Sequence, residues 1–318
     1  MIDALRFVQG AMKSTVLAPE LEHFHIKEGR IVGFNGYMAL SAPIDLDIDA
    51  KPKAKLFYKA LQSCGDTTSL GLTASGKLHV RSGGFSAFIE CLEDEIYEAK
   101  LLGERYPAPD GMLQAFKRLY GIISLDASRP WAMGLSVSNG FYTATNNIAI
   151  VQIWGNHRLP TFNCPRFTVA ELIRIGENPD YIRVTGHNVT FEWEDGRWLQ
   201  SQILSAEWPE DMVNKLLAGG QAGVPLPEGF YDALEKIKPF IPNSSNTVCF
   251  GEDRIVAGPH LEDVSASHDV EGLPAGPKFS EKVLTAIEDE IETIDFSAYP
   301  DPCGFRGPMS RGIILGQR

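Results

Sequence analysis

The sequence predicts an α+β protein built from three similar domains, each with two helices and antiparallel sheets. The first observation is a repeat. A helix-like phrase with an aromatic near its start recurs in Leu56-Phe57-Tyr58-Lys59-Ala60-Leu61, in Phe167-Thr168-Val169-Ala170-Glu171-Leu172 and in Phe279-Ser280-Glu281-Lys282-Val283-Leu284, at intervals of about 110 residues. Such a period is too long for a solenoid unit and fits a repeated domain. The second observation is that the first two phrases each lead into a strand, a Gly turn and a strand. These are Leu78-His79-Val80-Arg81-Ser82-Gly83-Gly84-Phe85 and Val189-Thr190-Phe191-Glu192-Trp193-Glu194-Asp195-Gly196-Arg197-Trp198. The third is that strands succeed each other through tight turns and not through helices, which favours antiparallel sheets.

Each repeat reads as two halves, helix first and strands after. The opening helices are predicted from Ala4, Leu5, Phe7, Val8 and Ala11, from Met112, Leu113, Phe116, Leu119 and Tyr120, and from Phe230, Leu234 and Ile237. Their three- and four-residue steps put the apolar side chains on one helix face. The recurring phrase supplies the second helix of each repeat. Hairpins are predicted at Asn35-Gly36, Asn139-Gly140, Gly186-His187-Asn188 and Gly251-Glu252-Asp253, each between apolar runs. Breaker-rich stretches at Tyr106-Pro107-Ala108-Pro109-Asp110-Gly111 and Gly219-Gly220-Gln221-Ala222-Gly223 mark domains at 1–107, 108–221 and 222–318.

A hydrophobic content of 44% is enough for each repeat to bury a core. No apolar run approaches the ~20 residues of a membrane helix, and Met1 to Gly10 lacks a signal-peptide pattern. Five scattered Cys argue against a disulfide framework or zinc site and for a reducing cytoplasm. A net charge of −12 opposes nucleic-acid binding by the whole surface, but the distribution of cations matters more. All six predicted helices, or their flanks, carry Lys or Arg: Arg6 and Lys13; Lys53, Lys55 and Lys59; Lys117 and Arg118; Arg166 and Arg174; Lys236 and Lys238; Lys278 and Lys282. Acidic residues concentrate elsewhere, as in Glu93-Asp94-Glu95 and Glu288-Asp289-Glu290. Either the helices share a positive face, or Lys and Arg are there as good helix formers on solvated faces.

Asp45, Asp47 and Asp49 alternate along a predicted strand, so a divalent-metal site is one reading and a solvated strand face the other. His23 and His25 share a face without a third ligand nearby in sequence. His157 and His187 fall near turns and read as exposed. Neither a nucleophile elbow nor a phosphate-binding Gly loop is present, and no cofactor is expected.

Several passages resemble the sliding clamps of bacterial-type DNA replication. These are Val80-Arg81-Ser82-Gly83, Ala144-Thr145-Asn146-Asn147, Cys164-Pro165-Arg166, Trp198-Leu199-Gln200-Ser201 to Trp208-Pro209, and Ile313-Ile314-Leu315-Gly316-Gln317-Arg318. The resemblance spans nearly the whole chain, and its length and irregular ending suggest a phage-encoded or divergent member. It implies a ring-forming, non-enzymatic processivity factor acting in the cytoplasm of a bacterium or phage-infected cell. Two copies would join head to tail, encircle duplex DNA without sequence preference, and tether a polymerase. Lys13, Lys55, Lys59, Lys117, Arg118, Arg166, Arg174, Lys236, Lys278 and Lys282 would then face phosphates. A hydrophobic cleft for polymerase and clamp-loader peptides would be walled by Ala132, Thr145, Ile148, Ile150, Pro209, Ile313 and Leu315, beside a mobile Gln317-Arg318. The family pattern Thr-Asp-Gly-His-Arg-Leu reads here Thr145-Asn146-Asn147-Ile148-Ala149-Ile150. The dimer contact is expected between the edge strand with Phe85, Ala87 and Ile89, apolar on both faces, and the helix end at Phe240 and Ile241. The competing classes are a metal-dependent nucleic-acid enzyme using Asp45, Asp47 and Asp49, and a β-rich structural protein without a DNA role.

Overall fold

The computed structural model describes residues 1–12, 18–94, 98–220, 223–259 and 265–317. In the first repeat α1 (Ile2–Val8) precedes β1 (His25–Lys27), β2 (Arg30–Phe34) and β3 (Met38–Pro43). Then α2 (Ala54–Gln62) precedes β4 (Ser69–Leu72), β5 (Leu78–Ser82) and β6 (Phe85–Ile89), and a short β7 (Arg105–Pro107) follows. The second repeat runs α3 (Met112–Leu119), β8 (Gly134–Ser138), β9 (Phe141–Thr145), β10 (Ala149–Trp154) and β11 (Phe162–Pro165), then α4 (Arg166–Ile175), β12 (Tyr181–Val184), β13 (Asn188–Glu192) and β14 (Trp198–Gln202). Helix α5 (Glu210–Gly219) and β15 (Val224–Pro225) lead into the third repeat. It contains α6 (Phe230–Ile237), β16 (Thr247–Gly251), β17 (Arg254–Ala257), β18 (Ser267–Asp269), β19 (Lys278–Ser280), α7 (Glu281–Ala286), β20 (Thr293–Ile294), β21 (Cys303–Arg306) and β22 (Ser310–Ile314).

The predicted hairpins form. Asn139 and Gly140 both take positive φ at the β8–β9 turn, the backbone that Asn-Gly supplies at least cost. Two expectations need correction. The aromatics of the recurring phrase are not equivalent: Phe57 is fully buried on α2, Phe167 is exposed on α4, and Phe279 lies on β19 opposite Val248. The last phrase therefore begins as a strand, and its helix starts only at Glu281. The Gly219-Gly220 stretch is not all linker either, because Gly219 closes α5, a helix not anticipated.

The chain divides into two compact units, Met1–Ala108 with Arg174–Ile203, and Pro109–Ile173 with Leu204–Arg318. In the first unit a seven-stranded antiparallel sheet has the order β1-β2-β3-β14-β13-β12-β7, and a separate sheet has the order β4-β5-β6. The seven-stranded sheet joins strands of two repeats at β3 and β14, where Ser41 faces Trp198. Leu40, Leu199, Phe191 and Ile182 line up across it, each fully buried. Burying each such side chain contributes roughly 1.5–3 kcal/mol. Helix α1 packs on β2 and β3. A Cβ on Gly33 would come within 2.7 Å of the Val8 carbonyl oxygen, so glycine permits that approach.

In the second unit an eight-stranded sheet has the order β11-β8-β9-β10-β22-β21-β20-β15, and a four-stranded sheet the order β18-β17-β16-β19. The eight-stranded sheet again joins two repeats, Ile150 of β10 facing Ile313 of β22. The third-repeat core is a ring cluster of Phe230, Phe250, Phe279 and Phe296, with successive centroids 5.4 to 6.1 Å apart. The inter-repeat connectors behave alike in the two units. In the first, Glu98 binds Lys27 of β1, the Lys100 carbonyl accepts from Gln200 of β14, and the Gly103 carbonyl accepts from Arg183 of β12. The connector thus crosses the sheet before ending as edge strand β7. In the second, α5 starts beside Ser138 and Asn139, covers Ile150 and Ile313, and leads into edge strand β15.

Candidate nucleic-acid and partner interfaces

The helix cations fall into two groups. Lys55, Lys59, Lys117, Lys236 and Lys282 are exposed, on α2, α3, α6 and α7, and Lys278 is partly buried on β19. The Lys236 ammonium lies 3.1 Å from His268 Nε2. The arginines are engaged with protein oxygens. Arg118 forms a two-pronged pair with Glu290, which is 1% exposed, and donates to the Asp289 carbonyl. Arg166 donates to the Tyr120 and Ile123 carbonyls and stacks 4.0 Å above the Tyr120 ring. Arg174 donates to the Arg6 and Phe7 carbonyls. Lys13 lies outside the described residues. A flexible ammonium suits non-specific phosphate contact, whereas a guanidinium already forked onto oxygens has few donors left.

The residues expected to form the cleft sit in three settings. Ile150 and Ile313 face each other across β10 and β22, each 7% exposed, under Val213 and Leu217 of α5 with Trp208 against them. Ile148 and Leu315 are exposed and joined by a 2.7 Å hydrogen bond from the Leu315 N–H to the Ile148 carbonyl. Ala132 and Thr145 are buried, and the Thr145 hydroxyl donates to the Ala149 carbonyl. Pro209 precedes α5 as its N-cap. Val213, Leu217 and Trp208 were missed from the sequence, although Met212, Val213, Leu216 and Leu217 recur at helical spacing after Pro209. Gln317 is held in place rather than mobile. Its side-chain oxygen accepts from Thr247, its N–H donates to the Lys278 carbonyl, and its carbonyl accepts from Tyr299. Arg318 lies outside the described residues.

Strands β6 and β18 end their sheets. On β6, Phe85 and Ala87 are partly buried and Ile89 is buried. The large apolar side chain that is exposed is Phe88, stacked on His79 with centroids 4.4 Å apart. Phe240 is exposed and Ile241 partly buried, and the Phe240 carbonyl accepts from Ser265 beside the start of β18.

Asp45, Asp47 and Asp49 correct another expectation. They lie in an irregular segment after β3, not in a strand, and all three are exposed. The β3 ladder ends at Pro43, which cannot donate to one. Asp49 approaches His25 Nε2 at 3.8 Å. Among the described residues no group of three or more His, Cys, Asp or Glu is placed to hold a metal ion. His23 and His25 are buried, and His157 is half-buried against Tyr142, with ring centroids 4.8 Å apart.

No family model matches the sequence, and no curated protein is similar to it. Solved structures are. The β sliding clamp of Caulobacter crescentus superposes with a TM-score of 0.83 at 17% identity, covering 100% of this chain and 96% of that one. The DNA polymerase sliding clamp of Bacillus subtilis gives 0.83 at 15% identity over the same shares. The sliding clamp (DNA polymerase III subunit beta) of Pseudomonas aeruginosa gives 0.80 at 14%, over 100% and 97%. The architecture is that of a DNA clamp. Over its full length the chain has the fold of the bacterial DNA polymerase sliding clamps.

Proposed function

We propose that this chain is a DNA sliding clamp: two copies join head to tail into a ring around duplex DNA and tether a polymerase. The observation that carries this reading is a rule of assembly repeated in the fold. Twice the third strand of one half-repeat pairs with the third strand of another, β3 with β14 and β10 with β22. The same rule applied once more leaves the two remaining third strands, β18 and β6, each at an end of its sheet, to pair between copies. Ser41 and Gln152 occupy the matching hairpin positions opposite Val32 and Thr143, as Ser267 does opposite Val256. Ser41 pairs with Trp198 and Gln152 with Arg311, and by the same register Ser86 would lie opposite Ser267 of the partner subunit. The exposed lysines of α2, α3, α6 and α7 would meet phosphates without reading bases. A closed ring needs no tight contact, which suits a protein of net charge −12. The peptide cleft, for polymerase and clamp loader, would lie where Ile148 and Leu315 remain exposed beside α5.

The test is a chain carrying Ser86→Cys and Ser267→Cys, with Cys64 and Cys91 replaced. Oxidation should yield a covalent dimer that stays on circular DNA and leaves once the circle is cut. A cross-linked dimer that leaves intact circles as fast as linear DNA would refute encirclement. A homogeneous monomer at micromolar concentration would refute the ring.

A further inference from the structure

The seven-stranded sheet carries a second feature that the clamp reading does not use. On the face opposite Leu40 and Leu199, beneath the connector of residues 98–104, lies a cavity of about 590 Å³. It is ligand-sized and charged: Lys27, Arg30, Arg105 and Arg197 line it together with the carboxylates of Glu28, Glu98, Glu192 and Glu194. Three of the four cations are neutralised in place. Lys27 pairs with Glu98 at 3.0 Å, Arg105 with Glu192 at 3.2 Å, and Arg197 with Asp195 at 2.6 Å.

Arg30 is different. Its Nε donates to the Ser41 hydroxyl at 3.0 Å and its Nη2 to the Gly196 carbonyl at 2.6 Å, both neutral acceptors. Among the described residues no carboxylate lies within salt-bridge distance of it. A half-buried guanidinium without a counter-charge is costly, and the cost is relieved by an anion. Its position is fixed, since two forked donors pin the guanidinium plane to β3 and to the β13–β14 turn. The remaining nitrogen, Nη1, is left for a ligand.

We propose that this cavity binds a small molecule through an oxyanion, a phosphate or carboxylate group, held by Arg30. The charge-assisted, geometrically fixed donor is what selects a planar or tetrahedral oxyanion over a neutral ligand. Burial also disfavours the charged guanidinium, an effect that an anion beside it would reverse. The site is independent of ring closure and of the helix lysines.

Trp193 and Trp198 line the same cavity and supply the readout. The purified full chain is titrated with inorganic phosphate, and separately with citrate, at constant ionic strength set with sodium chloride, while tryptophan fluorescence is followed. A saturable change is expected with at least one of them. Response to phosphate alone assigns a phosphorylated ligand, and response to citrate alone a carboxylate ligand. Arg30→Gln keeps a donor to Ser41 but removes the charge, and should weaken binding roughly 10- to 100-fold. Arg30→Lys should restore part of it. Circular dichroism and melting confirm that the variants are folded. No saturable change with either anion in the wild type would overturn the proposal, as would a response that a folded Arg30→Gln chain retains in full.

Discussion

Lys117 and Arg118 are neighbours on α3 in opposite settings, one exposed and the other engaged with Glu290, and a pair of substitutions separates the roles proposed for them. Arg118 grips Glu290 with two nitrogens, one at 2.7 Å, and adds a 3.0 Å bond to the Asp289 carbonyl. The arginine side chain is 22% exposed and that of Glu290 2%. Arg118→Ala would leave a carboxylate buried without a partner. Breaking a buried pair from one side costs about 3–5 kcal/mol, most of it the stranded charge rather than the lost attraction. At roughly 3 kcal/mol per molar urea, the unfolding midpoint of the second unit should fall by about 1–2 M. Lys117 is exposed, so Lys117→Ala should move stability by no more than about 0.5 kcal/mol. On the proposed clamp reading its effect falls in DNA binding, where the slope of log K against log salt should flatten by about 0.9 for a lost phosphate contact. Urea unfolding and salt-dependent binding to linear duplex are measured on both variants. Replacing Arg118 and Glu290 together by Met and Leu should recover part of the stability. An Arg118→Ala chain that unfolds like wild type while losing the salt slope would show that the arginine serves DNA and that the buried-pair argument is wrong.

Leu217→Ala removes a side chain 6% exposed between α5 and the Ile150–Ile313 pair, and should cost about 2–5 kcal/mol. A melting temperature unchanged in that variant would mean α5 is not seated there. Thiol reagents should modify Cys64 and Cys91 first and reach Cys164, Cys249 and Cys303 only on unfolding, the Cys303 thiol being pushed up to about 11 by burial and by nearby Asp295. Mass spectrometry of a labelling time course checks this order. Burial holds the His25 imidazole below its ordinary 6.5, with Asp49 opposing the shift. The folded state then prefers neutral His25, so its stability contribution is intact above pH 6.5 and is lost as pH falls through the lowered folded value. Melting at pH 8 and pH 5 should show a smaller loss in His25→Gln than in wild type; equal losses would contradict the assignment.

Local features were legible in the sequence because their causes are local. Asn139-Gly140 needs positive φ and turns the chain wherever it stands, and Met112, Leu113, Phe116 and Leu119 declare a helix face by spacing alone. Phe279 misled because an aromatic before Ser280-Glu281 reads equally as helix entry or strand end. Only its pairing with Val248 decides. Helix α5 was hidden by Gly219 and Gly220, which resemble a linker even when a helix ends between them. The partners of Arg118 and of β3 were out of reach for another reason. Glu290 is 172 residues from Arg118, and an alternating strand pattern says which face is buried but not which strand lies beside it. Helix position alone therefore could not separate the exposed lysines from arginines already engaged.

The joining of β3 to β14 has a consequence for synthesis. Ser41 leaves the ribosome about 160 residues before its partner Trp198, an interval of about 10–30 s at ordinary elongation rates. Through that time Met38, Ala39, Leu40, Ser41 and Ala42, all buried in the finished protein, belong to a strand with an open edge. Such an edge is a template for the wrong neighbour, most of all on a crowded polysome where identical nascent chains lie side by side. The wait at β10 is about the same, because Ile313 follows its partner Ile150 by a similar interval. A message truncated before β22 would release a chain that still carries an unsealed sheet at β10.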